Sequence, residues 1–331
     1  MNNAQWIING NPKGRALMAE DFLKQSAELP DLGDGEVRVK VELLSFDPSQ
    51  KGQMENIGYA AATEFGQVMR ASGIGEVIES RAERLSVGTK VMGSLGWQQY
   101  ATLPAHQLEP LSEGVPVSAH LGPLGATGLT AYFGLLRVGK PLAGDTVLVS
   151  GAAGATGSIV GQLAKLSGCR VVGIAGGPEK CAWLINELGF DAAIDYKNDR
   201  VKSAIREACP NGVNVFFDNV GGSILNDALA CIALNARVVI CGGISRYQEA
   251  VLPAGPANYF NLVFQRASML GFLVSDYAAE FPVARARLAA WLESGSLLYK
   301  EDVQEGFDQI PATLQRVFDG ANFGKQLLRL D

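Results

Sequence analysis

Residues 146–168 read TVLVSGAAGATGSIVGQLAKLSG, and this stretch decides the fold. TVLVS is a continuous apolar run, the mark of a strand buried on both faces. A glycine-rich turn follows within SGAAGATGSIVGQ (150–162), and 158–168 has the pattern of a helix that ends on Gly168. Strand, glycine turn and helix in that order suit a dinucleotide-binding turn, whose full fingerprint is Gly-x-Gly-x-x-Gly. Gly154 and Gly157 take its second and third glycine positions, and Ala152 takes the first. Gly154 lets backbone approach a pyrophosphate, and Gly157 allows close helix–strand packing. The helix N-terminus adds N–H groups and a partial positive charge. Ala152 serves where its φ stays negative. Taken alone, such a glycine string is also ordinary turn chemistry.

The flanking sequence supplies the context. RVVGIAG (170–176) reads as a second strand, and PEKCAWLINELG (178–189) as a second helix with Pro178 at its start and Gly189 at its end. DAAIDY, VKSAIREAC, VNVFFDN, SILNDALACI and ARVVICGG continue the alternation through residue 243. SMLGFLVS (268–275) reads as a further strand, and FPVARARLAAWLESG (281–295) as a helix stopped by Gly295. Strands separated by helices imply a parallel sheet covered on both faces. The first part of the chain differs. EVRVKVELLSF (36–46), ASGIGEVIES (71–80), GTKVMGS (88–94) and QQYATLP (98–104) are short runs, partly alternating and punctuated by glycine and proline, as in a small β domain. The expected class is α/β: a doubly wound parallel Rossmann sheet over 123–297, with a second, mostly β domain over 1–122 completed by 298–331.

Bulk properties narrow the function. The chain has 331 residues, 47% hydrophobic and 19% charged, enough for two cores. A net charge of −6 offers no basic surplus to neutralise phosphates, so nucleic acid is not the expected partner. No apolar run approaches the ~18 residues of a membrane span. The start, MNNAQWIINGNPKGR, lacks a signal-peptide pattern and reads as cytoplasmic sequence. Cys169, Cys181, Cys209, Cys231 and Cys241 are odd in number, form no CxxC pair and sit mostly in or beside apolar runs, as reduced thiols do. His106 and His120 are the only histidines, a poor inventory for a catalytic or structural zinc, so no metal is expected.

The choice of dinucleotide turns on VVGIAGGPEKC (171–181). An acid at the end of the second strand would accept from a ribose 2′-hydroxyl and repel a 2′-phosphate. Gly176-Gly177 stands there instead, and Lys180 follows in the first turn of the next helix. The site reads as intact and suited to NADP(H). Lys180 taken singly also suits a solvated helix surface.

At the level of motifs the chain resembles the zinc-independent medium-chain dehydrogenase/reductases, in the branch of prostaglandin/leukotriene reductases, plant alkenal double-bond reductases and bacterial curcumin reductases. The resemblance spans essentially the whole chain. It is carried by LGDGEVRVKV (32–41), GWQQYA (96–101), GATGLTAYFGL (125–135), AAGATGSIVGQLAK (152–165), GFDAAIDYK (189–197), FFDNVGG (216–222), VVICGGISRY (238–247), GPANYF (255–260), GFLVSDY (271–277) and NFGKQLL (322–328). It implies a GroES-like catalytic domain beside the Rossmann domain. It further implies that Lys180 and Tyr196 hold the 2′-phosphate and that Gly154, Ala155, Thr156 and Gly157 form the phosphate turn. Asn219 borders the cofactor, and the loop Cys241, Gly242, Gly243, Ile244, Ser245 to Tyr247 runs along the nicotinamide ribose. Phe272, Leu273 and Val274 line the nicotinamide through backbone groups, and Asn322 reaches the cofactor from the C-terminal segment. The implied reaction is metal-independent, NADPH-dependent reduction of the C=C bond of α,β-unsaturated aldehydes and ketones. The implied assembly is a homodimer.

Two departures bear on the substrate side. A tyrosine used by mammalian and plant members falls on Phe264, which has no hydroxyl, so Tyr247 and Tyr59 become the candidate donors. The family's DPYMRGRM reads DPSQKGQM here, with Ser49, Gln50 and Lys51 in place of Tyr, Met and Arg. Lysine lacks the planar donor fork of arginine, and an aromatic wall is lost, so a wider or more polar pocket is expected. Two alternatives stay open: an NADPH quinone oxidoreductase, and a weakly catalytic NADPH-binding regulatory protein.

Overall fold

The structure, a computed structural model, describes residues 2–55, 63–112, 114–251 and 253–330. It comprises two compact units, Met1–Leu121 with Glu301–Asp331, and Gly122–Lys300.

The first unit is mostly β. A hairpin of β1 (Asn2–Ile8) and β2 (Phe22–Glu28) precedes β3 (Glu36–Ser45), the short helix α1 (Ser49–Met54), β4 (Ser72–Ser80), β5 (Lys90–Ser94), β6 (Tyr100–Pro104) and β7 (Glu109–Pro110). β3 is the organiser: its alternate residues Val37, Val39 and Val41 are buried, and it pairs antiparallel with both β4 and β6. Trp97 is fully buried between the rings of Phe22 and Phe46, with centroids 4.8 and 5.8 Å away. The opening hairpin is not legible as alternation, because β2 (FLKQSAE) exposes four consecutive residues, Leu23 to Ser26.

The second unit carries the parallel sheet. After α2 (Ala126–Phe133) come β8 (Thr146–Ser150), α3 (Ala155–Leu166), β9 (Arg170–Ala175), α4 (Pro178–Asn186), β10 (Ala192–Asp195) and α5 (Val201–Ala208). β11 (Val213–Asp218), α6 (Gly222–Leu229), β12 (Ile232–Ile240), α7 (Asn261–Phe264), β13 (Ser268–Gly271) and α8 (Phe281–Glu293) complete it. The strand order is β10-β9-β8-β11-β12-β13, with every pairing parallel. The order reverses between β8 and β11, which opens a crevice at their carboxyl ends, the usual ligand position in such sheets. Every residue of β8 is buried, and Leu148, Val172, Ile174 and Phe216 belong to one core cluster. Gly161 on α3 and Gly173 on β9 exist because the Phe190 ring lies against both; a Cβ at either would strike it.

The chain then returns to the first unit. β14 (Glu301–Glu305), α9 (Ile310–Phe318) and β15 (Lys325–Arg329) follow, and β15 pairs antiparallel with β3.

Three boundaries differ from the sequence reading. α3 begins at Ala155 rather than near 158, with Gly154 as its extended N-cap, so the end of the glycine turn already lies in the first turn of the helix. β12 begins at Ile232, four residues before ARVVICGG, and passes through Asn235 at φ +59°. β13 stops at Gly271: its partner β12 ends at Ile240, and from Val274 the chain winds into a short 3-10 turn. Among the described residues no helix is long and apolar enough to cross a membrane.

Candidate functional site

The crevice begins at the turn between β8 and α3. Gly151 adopts φ +58°, a conformation that favours glycine, while Ala152 keeps a negative φ and is fully buried, so alanine fits the first fingerprint position. A Cβ at Gly157 would strike the Gly151 carbonyl oxygen, so this glycine seats the helix on the turn. Gly154 is the N-cap and has no side chain to satisfy the helix. Among the described residues the amides of Ala155, Thr156 and Gly157 therefore have no intrahelical or side-chain acceptor, an arrangement suited to an anion.

At the tip of β9, Gly176 and Gly177 form the next wall. Gly177 has φ +95°. The Tyr196 ring lies against Gly176, where a Cβ would come within 2.9 Å of its Oη. Lys180 sits in the first turn of α4, three residues beyond the N-cap Gly177. An acid does stand nearby, and sequence reasoning missed it. Asp195, at the end of β10, accepts from the Gly177 amide at 2.8 Å, the Lys197 amide at 3.0 Å and Asn198 Nδ2 at 2.7 Å. The Gly177 amide foremost, with these other donors, holds its carboxyl below the ordinary value. It is occupied in holding the turn.

The floor lies at the ends of β11 and β12. Asp218 and Ser150 are both fully buried and face each other, with Ser150 Oγ donating to Asp218 Oδ1 at 2.7 Å. The Asn219 amide donates back to Ser150 Oγ at 2.8 Å, and Asn219 Nδ2 donates to the Ser150 carbonyl at 2.7 Å. The loop from Cys241 to Tyr247 is tied to this corner: the Cys241 and Gly242 amides donate to the Asp218 carbonyl, and Ser245 Oγ donates to the Val220 carbonyl at 2.6 Å. Burial first, and then the Asp218 charge, push the Cys241 thiol up to about 12. Burial also raises Asp218 itself. Phe272 turns its ring onto Gly134, and the segment Phe272, Leu273 and Val274 follows β13 along the same edge of the sheet.

The structure thus gathers Gly154 to Gly157, Lys180, Tyr196, Asn219, Cys241 to Tyr247 and Phe272 to Val274 in one unit, at or beyond the carboxyl ends of the parallel strands. Asn322 belongs to the other unit, where its Nδ2 donates to the Gly324 carbonyl at 2.9 Å. Tyr59 lies outside the described residues. Phe264 is exposed on α7. Ser150 and Asp218 escaped sequence reasoning; their only signal is a polar residue closing each of two mostly apolar strands.

The DPSQKGQM segment is built inward. Lys51 is fully buried, pairs with Glu55 and donates to the Pro12 carbonyl at 3.1 Å. Asp47 binds Lys325 at 2.5 Å and Ser45 Oγ at 2.8 Å. Lys51 therefore fastens α1 to the loop at Pro12 instead of adding an exposed charge. His120 is buried beside Ser112, and no group of three or more candidate metal ligands exists among the described residues.

Residues 4–111 match a family model described as the N-terminal domain of oxidoreductase, and residues 155–290 match one described as zinc-binding dehydrogenase. A putative NADP-dependent oxidoreductase of Bacillus subtilis is 43% identical over 94% of this chain and 93% of its own. The NADPH-dependent curcumin reductase of Escherichia coli is 33% identical over 99% of this chain and 97% of its own. CurA of Vibrio vulnificus, solved in complex with NADPH, superposes with a TM-score of 0.93 at 34% identity, covering 99% of both chains. With both family models matched in order and relatives of this identity along its length, the chain belongs to the medium-chain dehydrogenase/reductase family, in the branch of curcumin, prostaglandin and 2-alkenal reductases.

Proposed function

We propose that this protein is an NADPH-dependent reductase of the C=C bond of α,β-unsaturated aldehydes and ketones. The observation that carries the cofactor reading is the tip of β9: two glycines, Lys180 in the first turn of α4, Tyr196 against Gly176, and an aspartate already occupied by backbone amides. There Lys180 and Tyr196 receive the 2′-phosphate, and the amides of Ala155, Thr156 and Gly157 at the head of α3 receive the pyrophosphate. Asn219, the loop Cys241 to Tyr247 and the backbone of Phe272 to Val274 line the rest of the cofactor. The relatives named for NADP, curcumin reduction and 2-alkenal reduction support the same reading.

NADPH supplies a hydride for the substrate's β-carbon. Charge then grows on the carbonyl oxygen as an enolate, and the protein must place a hydrogen-bond donor there. Tyr247 and Tyr59 are the hydroxyls proposed for that oxygen or for proton delivery to the α-carbon. The test is NADPH oxidation across enals, enones, curcumin-like dienones and quinones, with product analysis. Saturation of the C=C bond is expected. Turnover of quinones alone would replace this reading with a quinone oxidoreductase, and NADPH binding without turnover would point to a regulatory protein.

A homodimer and a cytoplasmic location belong to the same proposal. β13 is an edge strand, and Tyr259, Phe260, Val263, Phe264 and Leu270 are exposed on it and on the neighbouring α7 segment. Edge strands with apolar flanks are templates for pairing. Sedimentation should give twice the chain mass, and Phe264→Glu should lower it.

A further inference from the structure

We propose that Asp218 and Ser150 are positioning residues that lock the loops 219–221 and 241–247 into one pre-set floor for the cofactor. The proposal rests on the cofactor reading above and names residues to which that reading gives no role.

Asp218 is fully buried, and no lysine, arginine or histidine pairs with it among the described residues. A buried carboxylate without a cation is costly unless its lone pairs are filled. Here they are filled by Ser150 Oγ at 2.7 Å, the Val220 amide at 3.0 Å and the Gly221 amide at 3.0 and 3.1 Å to its two oxygens. All of these donors lie at the carboxyl ends of β8 and β11, where the strand order reverses.

Ser150 makes the link two-way. Its hydroxyl donates to Asp218 and accepts from the Asn219 amide, while its carbonyl accepts the Asn219 side chain. Asn219 is thus held at both its backbone and its amide group. The second loop hangs on the same corner. The Cys241 and Gly242 amides bind the Asp218 carbonyl at 2.9 and 3.0 Å, and the Ile244 and Ser245 amides bind the carbonyls of Asn219 and Val220 at 3.4 and 3.2 Å. One carboxylate therefore sets the first loop, and the first loop sets the second. Loops ordered before a ligand arrives spare it that ordering cost, so affinity rises without new contacts.

The experiment uses the full-length protein with Ser150→Ala, Ser150→Thr and Asp218→Asn. Three quantities are read: NADPH Kd by fluorescence titration, Tm, and amide exchange in the ligand-free protein. Ser150→Ala should raise the NADPH Kd roughly tenfold or more, the size of one lost charge-assisted hydrogen bond. Exchange should quicken together in 219–221 and 241–247. Ser150→Thr, which keeps the hydroxyl, should restore both the Kd and the protection. An unchanged Kd beside a lowered Tm would make the network merely structural and overturn the proposal. Faster exchange confined to 219–221 would also overturn it. If Ser150→Ala does not fold, Asp218→Asn carries the same comparison. If the wild-type protein binds no NADPH, the cofactor reading fails, while the coupling of the two loops is still decided by exchange alone.

Discussion

Two aspartates, Asp195 and Asp218, do the same local job in different surroundings. Each closes a parallel strand, and each accepts the amide of a glycine turn, Gly177 in one case and Gly221 in the other. Asp195 sits at the rim, partly in water, and its donors hold its acidity below the ordinary value. Asp218 sits under the floor, out of water, and burial outweighs its donors and raises it. Environment, not the count of hydrogen bonds, sets the sign of a pKa shift. Losing the aspartate should therefore cost the floor, whose donors are out of water, more than the rim.

The largest effect should come from Asp218→Ala. Removing the carboxylate strands the Ser150 hydroxyl and the Val220 and Gly221 amides, so urea unfolding should show a loss of about 3 kcal/mol or more; a loss below about 1 kcal/mol would equate floor and rim. Next comes Gly157→Ala, which drives a methyl into the Gly151 carbonyl and should cost roughly 1–3 kcal/mol by the same measurement. Lys180→Ala should weaken NADPH by roughly 1–3 kcal/mol and leave NADH nearly unchanged in calorimetric titrations. Equal loss for both cofactors would remove Lys180 from the 2′-phosphate site.

The smallest effect, and the sharpest comparison, is in the pH dependence of stability. Asp195 has a lowered value in the fold, so its stabilisation is complete above the unfolded carboxylate pKa of about 3.9 and is lost as pH falls through the lowered value. Asp218 has a raised value, so its charged form is penalised, and stability falls as pH rises from about 3.9 through the raised value. Measured as wild type minus the Asn variant, stability should climb with pH for Asp195→Asn and decline with pH for Asp218→Asn. Parallel slopes would mean the two sites share one environment.

The nucleotide-binding sheet was legible because its rules are local. A run such as TVLVS needs no partner to declare itself a doubly buried strand, and Gly154 and Gly157 announce a turn through steric demands within a few residues. The absence of an acid from Gly176-Gly177 was equally readable. Asp195 was not: it comes from the next strand, and only the pairing of β9 with β10 brings it to Gly177. Lys51 was read as a change in pocket chemistry, yet folding buries it against Glu55 and Pro12. The β1–β2 hairpin was missed because β2 exposes polar and apolar residues alike.

By itself, then, the sequence determined the α/β class, the glycine-rich turn and the family, since each depends on periodicity, backbone sterics or ordered motifs along one chain. Tertiary structure alone decided that Ser150 and Asp218, 68 residues apart, would meet under the crevice, and that Asp195 would face its glycine turn. Hydrogen bonds between neighbouring strands depend on register, and register emerges only when the whole sheet is packed.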